Sequence, residues 1–369
     1  MTRLVPLVGI LVILGLAFAF SKNRRAIKPR IIAWGLGLQF LIALIVRTRQ
    51  GFWVLDQFSH AVVWFLSFAF EGSKFVFGPL GDPKGNLGMI LAFQALPLII
   101  YVACVFSILY YLGVLPALVK LAGNVMFKLM GTSGAESLEV AASIVMGQTE
   151  APLVIRPYLE ALTESELMTV MTAPGTILIA KLLNPETGTP QTAGKVELAV
   201  EKRSANLLDA ASKGVGDGLF LALNVAAMLI AFYALIYLCN GILAVAHSNL
   251  NLQTIFGIPM SLMAWLLGVP WQDARLVGSL MGTKLVLNEF VAFTLLGPMK
   301  GHIAERSFKI ATFALCGFAN FSSIGIQIGG IGSLAPGRKQ DLARLGFRAV
   351  FAGTLANYLS AAIAALILI

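Results

Sequence analysis

Apolar residues run almost unbroken over 4–20, 31–46, 87–113, 167–183, 214–246, 307–335 and 347–369, with polar residues gathered between them. A helix needs about 20 apolar residues to cross the hydrocarbon core, so most of these runs have the length of a membrane span. Stretches 52–70 and 114–130, with 250–268 as a third, show one apolar and one polar face instead. That is the pattern of helices lying along the membrane surface. The predicted fold class is an all-α polytopic membrane protein.

Two further stretches are too interrupted to cross cleanly. Residues 137–159 read SLEVAASIVM, then GQTE, then APLVIRPYL, so a polar tip with Gly147 and Pro152 divides two apolar arms. Ten helical residues rise about 15 Å, half the hydrocarbon thickness, which predicts a re-entrant hairpin. Residues 271–297 contain GTKLVLNEFVAF, with Lys284, Asn288 and Glu289 inside apolar sequence, and read as a second hairpin. In 315–332, LCGFANFSSIGIQIGGIG, the residues Gly317, Asn320, Ser322, Ser323 and Gly325 crowd one place in a long apolar run. Each lowers helix propensity or competes for backbone hydrogen bonds, so the helix is expected to unwind there. Paired hairpins and discontinuous helices are the marks of an inverted-repeat transporter, which binds its solute where the repeats meet.

Composition fits this picture. The chain is 58 % hydrophobic and 12 % charged, beyond the make-up of soluble domains. Its net charge of +9 sits in short loops, above all Lys22, Arg24, Arg25, Lys28 and Arg30, as orientation signals do, so no nucleic-acid partner is implied. The same cluster predicts that the first helix is retained with its C-terminal end cytoplasmic, although Ala17-Phe18-Ala19 resembles a cleavage site. Cys104, Cys239 and Cys316 lie inside apolar runs, and His60, His247 and His302 have no ligand spacing, so neither a disulfide nor a metal framework is expected.

A charged side chain at mid-membrane depth costs about 2.5–3.5 kcal/mol on insertion scales and persists with a partner, a cavity or a role. Glu150 is such a residue unless the tip reaches water. With Gln148 and Thr149 it offers donors and acceptors within three residues, suited to the edge of a planar solute. Glu289 repeats the argument beside Asn288, with Lys284 as an alternative ion-pair partner. Asn320 and Ser323, three apart, share a face if a turn of helix survives, and Phe318 offers an aromatic face or packs in the core. A membrane-embedded hydrolase would need a nucleophile with a base, or paired aspartates, and no histidine accompanies the buried serines. A pore also uses broken helices, but two half-depth hairpins suit alternating access better.

GQTEAP at 147–152, the run Gly282-x-Lys284-x-x-x-Asn288-Glu289-Phe290-Val291-Ala292-Phe293, and CGFANFSSIG at 316–325 together resemble the concentrative nucleoside transporters in their bacterial form. The resemblance covers nearly the whole chain. It implies a homotrimer in the bacterial inner membrane, importing nucleosides by symport with Na⁺ or H⁺ and using no cofactor beyond that ion. Carried over by position, Gln148, Thr149 and Glu150 would meet the base, Glu289, Asn320 and Ser323 the ribose hydroxyls, and Phe318 would flank the base. The family's ion site resembles one at the first hairpin, where this chain has Ser143 and Met146; a serine in place of the family's asparagine leaves the ion open, and the sequence does not rank purines against pyrimidines.

The chain also departs from the family after Thr172, where roughly a helix and a half is missing before Ala173-Pro174-Gly175. The expected organisation is therefore 1–136, scaffold and surface helices; 137–183, the first hairpin and a shortened remainder of the first repeat; 184–213, a polar linker; and 214–369, a scaffold helix, the second hairpin, the broken helix and a C-terminal helix. If 167–183 crosses once, five crossings separate the basic loop 22–30 from Arg338, Lys339, Arg344 and Arg348, which puts the two basic groups on opposite sides against the positive-inside rule. Either a pass is missing or one crossing is misread. A missing pass would weaken coupling, and the alternative activity is a nucleoside channel or uncoupled facilitator.

Overall fold

A computed structural model describes residues 4–86, 88, 90–144, 148, 151–172, 177–194, 204–246 and 250–369. It contains helices and connecting segments but no strand among the described residues. The chain divides into one unit of residues 1–47, 120–199 and 232–369 and a second of 48–119 and 200–231.

The first unit opens with α1 (Val5–Ala19) and α2 (Pro29–Arg47). The second unit holds α3 (Arg49–Phe77), α4 (Leu91–Gln94) and α5 (Leu96–Tyr111). Helix α3 is long and apolar enough to cross a membrane, although its amphipathic stretch 52–70 alone reads as a surface helix. Within this unit the Gln94 amide donates to the carbonyls of Leu80 and Gly88, both at 3.1 Å, pinning the loop between α3 and α4.

After α6 (Val114–Met130), the first hairpin begins with α7 (Gly134–Ser143) and returns through a 3₁₀ segment, Ala151–Ala161. The sequence-predicted hairpin is present in its two arms. Helix α8 (Glu164–Met171) and helix α9 (Ile177–Leu183) follow. Both α7 and α8 start on a capping box, Ser133 with Glu136 and Thr163 with Glu166, in which side chain and backbone satisfy each other's orphan donors.

Helices α8 and α9 correct the reading of 167–183 as one crossing. Ser165 Oγ donates to the Asn184 carbonyl at 2.6 Å, the Asn184 amide donates to the Glu164 carbonyl at 3.2 Å, and Lys181 Nζ donates to Ser165 Oγ at 2.8 Å. The end of α9 therefore lies beside the start of α8, and the two run antiparallel. Eight residues in α8 rise about 12 Å, less than half the hydrocarbon thickness, so α8 is too short to cross by itself. An apolar count cannot register a reversal of direction, and Pro174-Gly175, which stands between the two helices, reads equally as a kink or a turn.

The structure joins the two basic groups on one face of the first unit. Arg348 Nη2 donates to the Phe20 carbonyl at 2.8 Å, and Lys22 and Arg344 both pair with Glu164, at 2.8 and 3.3 Å. Arg338 Nη1 donates to the carbonyls of Glu160 and Leu162 at 3.1 and 2.5 Å. One face of the first unit thus carries the basic loop, the base of the first hairpin, both ends of the α8–α9 pair and the start of α16 (Lys339–Ile367). The stretch expected to be a free linker is in part tied down on this face: Asn184 and Thr192 are buried, and Thr192 accepts from the amides of Gly134 and Ala135 at 3.1 and 2.9 Å.

The remaining helices are α10 (Leu207–Ala246), α11 (Leu252–Leu266), α12 (Trp271–Val286), α13 (Glu289–Leu296), α14 (Glu305–Leu315) and α15 (Phe321–Leu334). Helices α12 and α13 are the second hairpin. Its base lies on the opposite face: Asp273 accepts from Ser307 Oγ at 2.5 Å and the Ala304 amide at 3.1 Å, while Arg306 donates to the carbonyls of Gly268 and Ala365 at 3.1 and 3.2 Å. Ala365 is at the far end of α16 from Arg348. The two hairpins therefore enter from opposite faces, as inverted repeats require.

Candidate functional site

The break between α14 and α15 falls where the small and polar residues predicted it. Cys316 ends α14 with φ −75° and ψ 71°, and Asn320 restarts the helix as the N-cap of α15, accepting from the Ser323 amide at 2.8 Å. Unwound backbone at this depth needs partners from protein. The Asn357 amide of α16 supplies one, donating to the Ala314 carbonyl at 2.9 Å. This approach is why residue 317 is a glycine: a Cβ there would lie 2.6 Å from Asn357 Oδ1. On the same helix, a Cβ at Gly353 would lie 2.9 Å from both Ala319 Cβ and the Thr172 carbonyl. The end of α8 and the broken helix thus meet at the midpoint of α16.

The second hairpin brings Glu289 to this break. Asn288 caps α13, accepting from the Val291 amide at 2.9 Å, and Asn320 Nδ2 donates to Glu289 Oε2 at 3.2 Å. Two helix N-termini, each capped by asparagine, are joined through this bond. Ser322 Oγ donates to Asn320 Oδ1 at 2.6 Å and lies 3.4 Å from the Leu287 carbonyl, tying the same two elements together. Beneath them, Val286, Leu287, Ile236, Phe256 and Phe321 form an apolar cluster that supports the hairpin tip.

The predicted site residues divide accordingly. Glu289, Asn320 and Ser323 come together, and the Ser323 hydroxyl is engaged with the Asn320 carbonyl at 2.7 Å. Phe318 is 43 % exposed, so it is not a core residue within the chain. Gln148, from the first hairpin, accepts at 3.3 Å from Gln327 of α15, a residue the sequence reading did not single out although it lies seven residues, two helical turns, beyond Asn320. Thr149, Glu150 and Met146 lie outside the described residues. Ser143 is buried, and its hydroxyl donates to the Val140 carbonyl of its own helix at 2.9 Å. Lys284 and Glu289 make no direct ion pair, although each charge still acts on the other; Lys284 Nζ lies 5.9 Å from the centre of the Tyr358 ring and has no hydrogen-bond partner among the described residues.

A second polar cluster was not anticipated. Glu136 and Glu166, each the acid of a capping box, are cross-linked by Ser133 Oγ donating to Glu166 at 2.5 Å and Thr169 Oγ1 donating to Glu136 at 3.0 Å. Lys181 pairs with Glu136 and, at 3.4 Å, with Glu186. The patterns S-x-x-E at 133–136 and T-x-x-E at 163–166 were the available signal. A cavity of about 340 Å³ opens beside this cluster, lined by Lys28, Ser133, Glu136, Lys181 and Glu186 among others and by no residue of the helix break. Its ion-paired walls hold α7 and α9 together, and Glu289, Asn320 and Ser323 lie instead at the break. Among the described residues no group of acids, cysteines and histidines has the makings of a metal centre.

Comparison with known proteins gives the family context of this geometry. Residues 8–80 match the N-terminal part and residues 167–365 the C-terminal part of Na⁺-dependent nucleoside transporters, and residues 92–183 match a nucleoside-recognition gate domain. An uncharacterised transporter of Bacillus subtilis, YutK, is 41 % identical over 399 aligned residues, covering 97 % of this chain and 98 % of the relative. The nucleoside permease NupC of Helicobacter pylori is 36 % identical over 411, covering 99 % and 98 %. A solved structure of CNTnw in an inward-facing, substrate-bound state superposes with a TM-score of 0.89 at 36 % identity, covering 100 % and 98 %, and a CNTnw variant in an outward-facing state gives 0.90 at 37 %. Both alignments to the bacterial relatives are longer than the 369 residues of this chain, so each contains positions this chain lacks.

Proposed function

The chain belongs to the Na⁺-dependent, concentrative nucleoside transporter family, and from that premise we propose that it moves nucleosides across the bacterial inner membrane as a homotrimer by alternating access. The solute sits between the two hairpins and the break of α14 and α15. The observation that carries this reading is the bond between Asn320 and Glu289, which joins the cap of the broken helix to the second hairpin. A carboxylate and an amide side by side, with hydroxyls at Ser322 and Ser323, suit the vicinal hydroxyls of a ribose, because the carboxylate accepts what each hydroxyl donates. Phe318 flanks the base, and Gln148, Thr149 and Glu150 read its edge.

Coupling is the weaker half of the function. The ion is Na⁺ or H⁺, and the first hairpin offers Ser143 and Met146 where the family holds it. The hydroxyl of Ser143 is turned back on Val140, α8 doubles back into α9, and the chain lacks positions that its relatives have, which the family resemblance puts after Thr172. These observations favour poorly coupled transport, with facilitated diffusion as the second reading. Radiolabelled uridine uptake into proteoliposomes, with and without a Na⁺ or H⁺ gradient, tests both. The expected result is saturable uptake, blocked by excess unlabelled uridine, that equilibrates with little accumulation. Strong accumulation on either gradient would refute the impairment, and the absence of saturable uptake would refute the nucleoside assignment.

A further inference from the structure

We infer that Gln327 is a positioning residue that sets which end of the Gln148 amide meets the base, making this edge of the site selective for a nucleobase bearing a carbonyl oxygen there. The inference rests on the nucleoside reading above. A glutamine side chain has an oxygen that only accepts and a nitrogen that only donates, and which is which follows from its partners. Gln327 Nε2 lies 2.6 Å from the Met171 carbonyl, and a carbonyl can only accept, so the NH₂ of Gln327 must stand there. Its other hydrogen reaches Gln148 Oε1 at 3.3 Å. Turning Gln327 over would set its oxygen against the Met171 carbonyl. Turning Gln148 over would set two NH₂ groups face to face. Gln327 is 4 % exposed, so water has little access to relieve either clash.

The chain of bonds therefore runs from the last residue of α8, through α15, to the tip of the first hairpin, and it ends on the Gln148 NH₂ as the part left for a ligand. Exocyclic groups project furthest from a nucleobase and are the first atoms a side-chain amide meets. An oxo group there accepts from Gln148; an amino group opposes donor to donor. The pairs uridine and cytidine, and inosine and adenosine, differ by that exchange.

Binding of these four nucleosides to the purified full chain, measured by calorimetry, tests the proposal. The wild type should favour the oxo member of at least one pair by roughly tenfold or more, the scale of one mispaired buried donor. In Gln327→Leu the amide is free to turn, and the ratio should fall toward one. In Gln148→Glu the side chain can only accept, and the preference should reverse toward the amino member. A structural role for Gln327 would weaken all four ligands together and leave the ratio alone. The proposal is overturned if the wild type does not favour an oxo member, if Gln327→Leu still binds with an unchanged ratio, or, should that variant not fold, if Gln148→Glu shows no reversal. Failure of the wild type to bind any of the four sinks the nucleoside assignment itself and is recognisable as such.

Discussion

Lys181 and Lys284 are both buried in the same unit, and their surroundings differ sharply. Lys181, at the base of the first hairpin, is 4 % exposed and lies among Glu136, Glu186 and Ser165 Oγ. Lys284, inside the second hairpin, is fully buried with the Tyr358 ring at 5.9 Å and no hydrogen-bond partner among the described residues. The first lysine neutralises Glu136, which the capping box of α7 has already drawn inward, and Glu186, so it is part of what holds α7 and α9 together. The second makes no hydrogen bond among the described residues that would hold one helix to another. Burial alone therefore says little about what a charge is for; the partners decide it.

Lys181→Met should break the comparison most severely. It leaves Glu136 and Glu186 without their cation, and removing one partner of a buried pair costs about 3–5 kcal/mol. A large fall in thermal unfolding temperature in detergent is expected, and an unchanged melt would show the cluster to be solvated. At the second hairpin the corresponding anchor is Asp273, bonded to Ser307 Oγ and the Ala304 amide. Asp273→Ala should cost about 1–3 kcal/mol, because two donors lose their acceptor; circular dichroism melts would register it. Arg344→Ala removes an exposed pair with Glu164 and should change stability by less than about 1 kcal/mol. Lys284→Met is the smallest effect on stability, near zero, since an ammonium with no hydrogen bond among the described residues gives way to an apolar chain of similar volume. A melt that drops as far as that of Lys181→Met would reveal an ion partner for Lys284 and erase the contrast.

Much of the second half of the fold was legible in sequence. Polar residues inserted into apolar runs marked the second hairpin and the break at 316–320, and the residues named there, Glu289 and Asn320, do meet. Their roles were only half legible, because asparagine before a helix is a cap as well as a ligand, and Asn288 and Asn320 both serve as caps. The first half was harder. Hydropathy saw 167–183 as one span because a pair of short antiparallel helices has the same composition as one longer helix. The acids at 136 and 166 were hidden for another reason: each is set three residues after a cap, a local pattern that points to a helix start and only in three dimensions to a shared ion-paired cluster. Gln327 was invisible because an isolated glutamine in an apolar helix carries no local signal.

The antiparallel course of α8 and α9 bears on how such a chain comes to exist. An excursion that departs from and lands on one surface can be trimmed at its turning point by any amount without inverting what comes afterwards. Losing one complete traverse would turn the second hairpin and α16 upside down, whereas shortening a round trip would leave the polarity of every later helix as it was, so a chain trimmed there could still be inserted correctly.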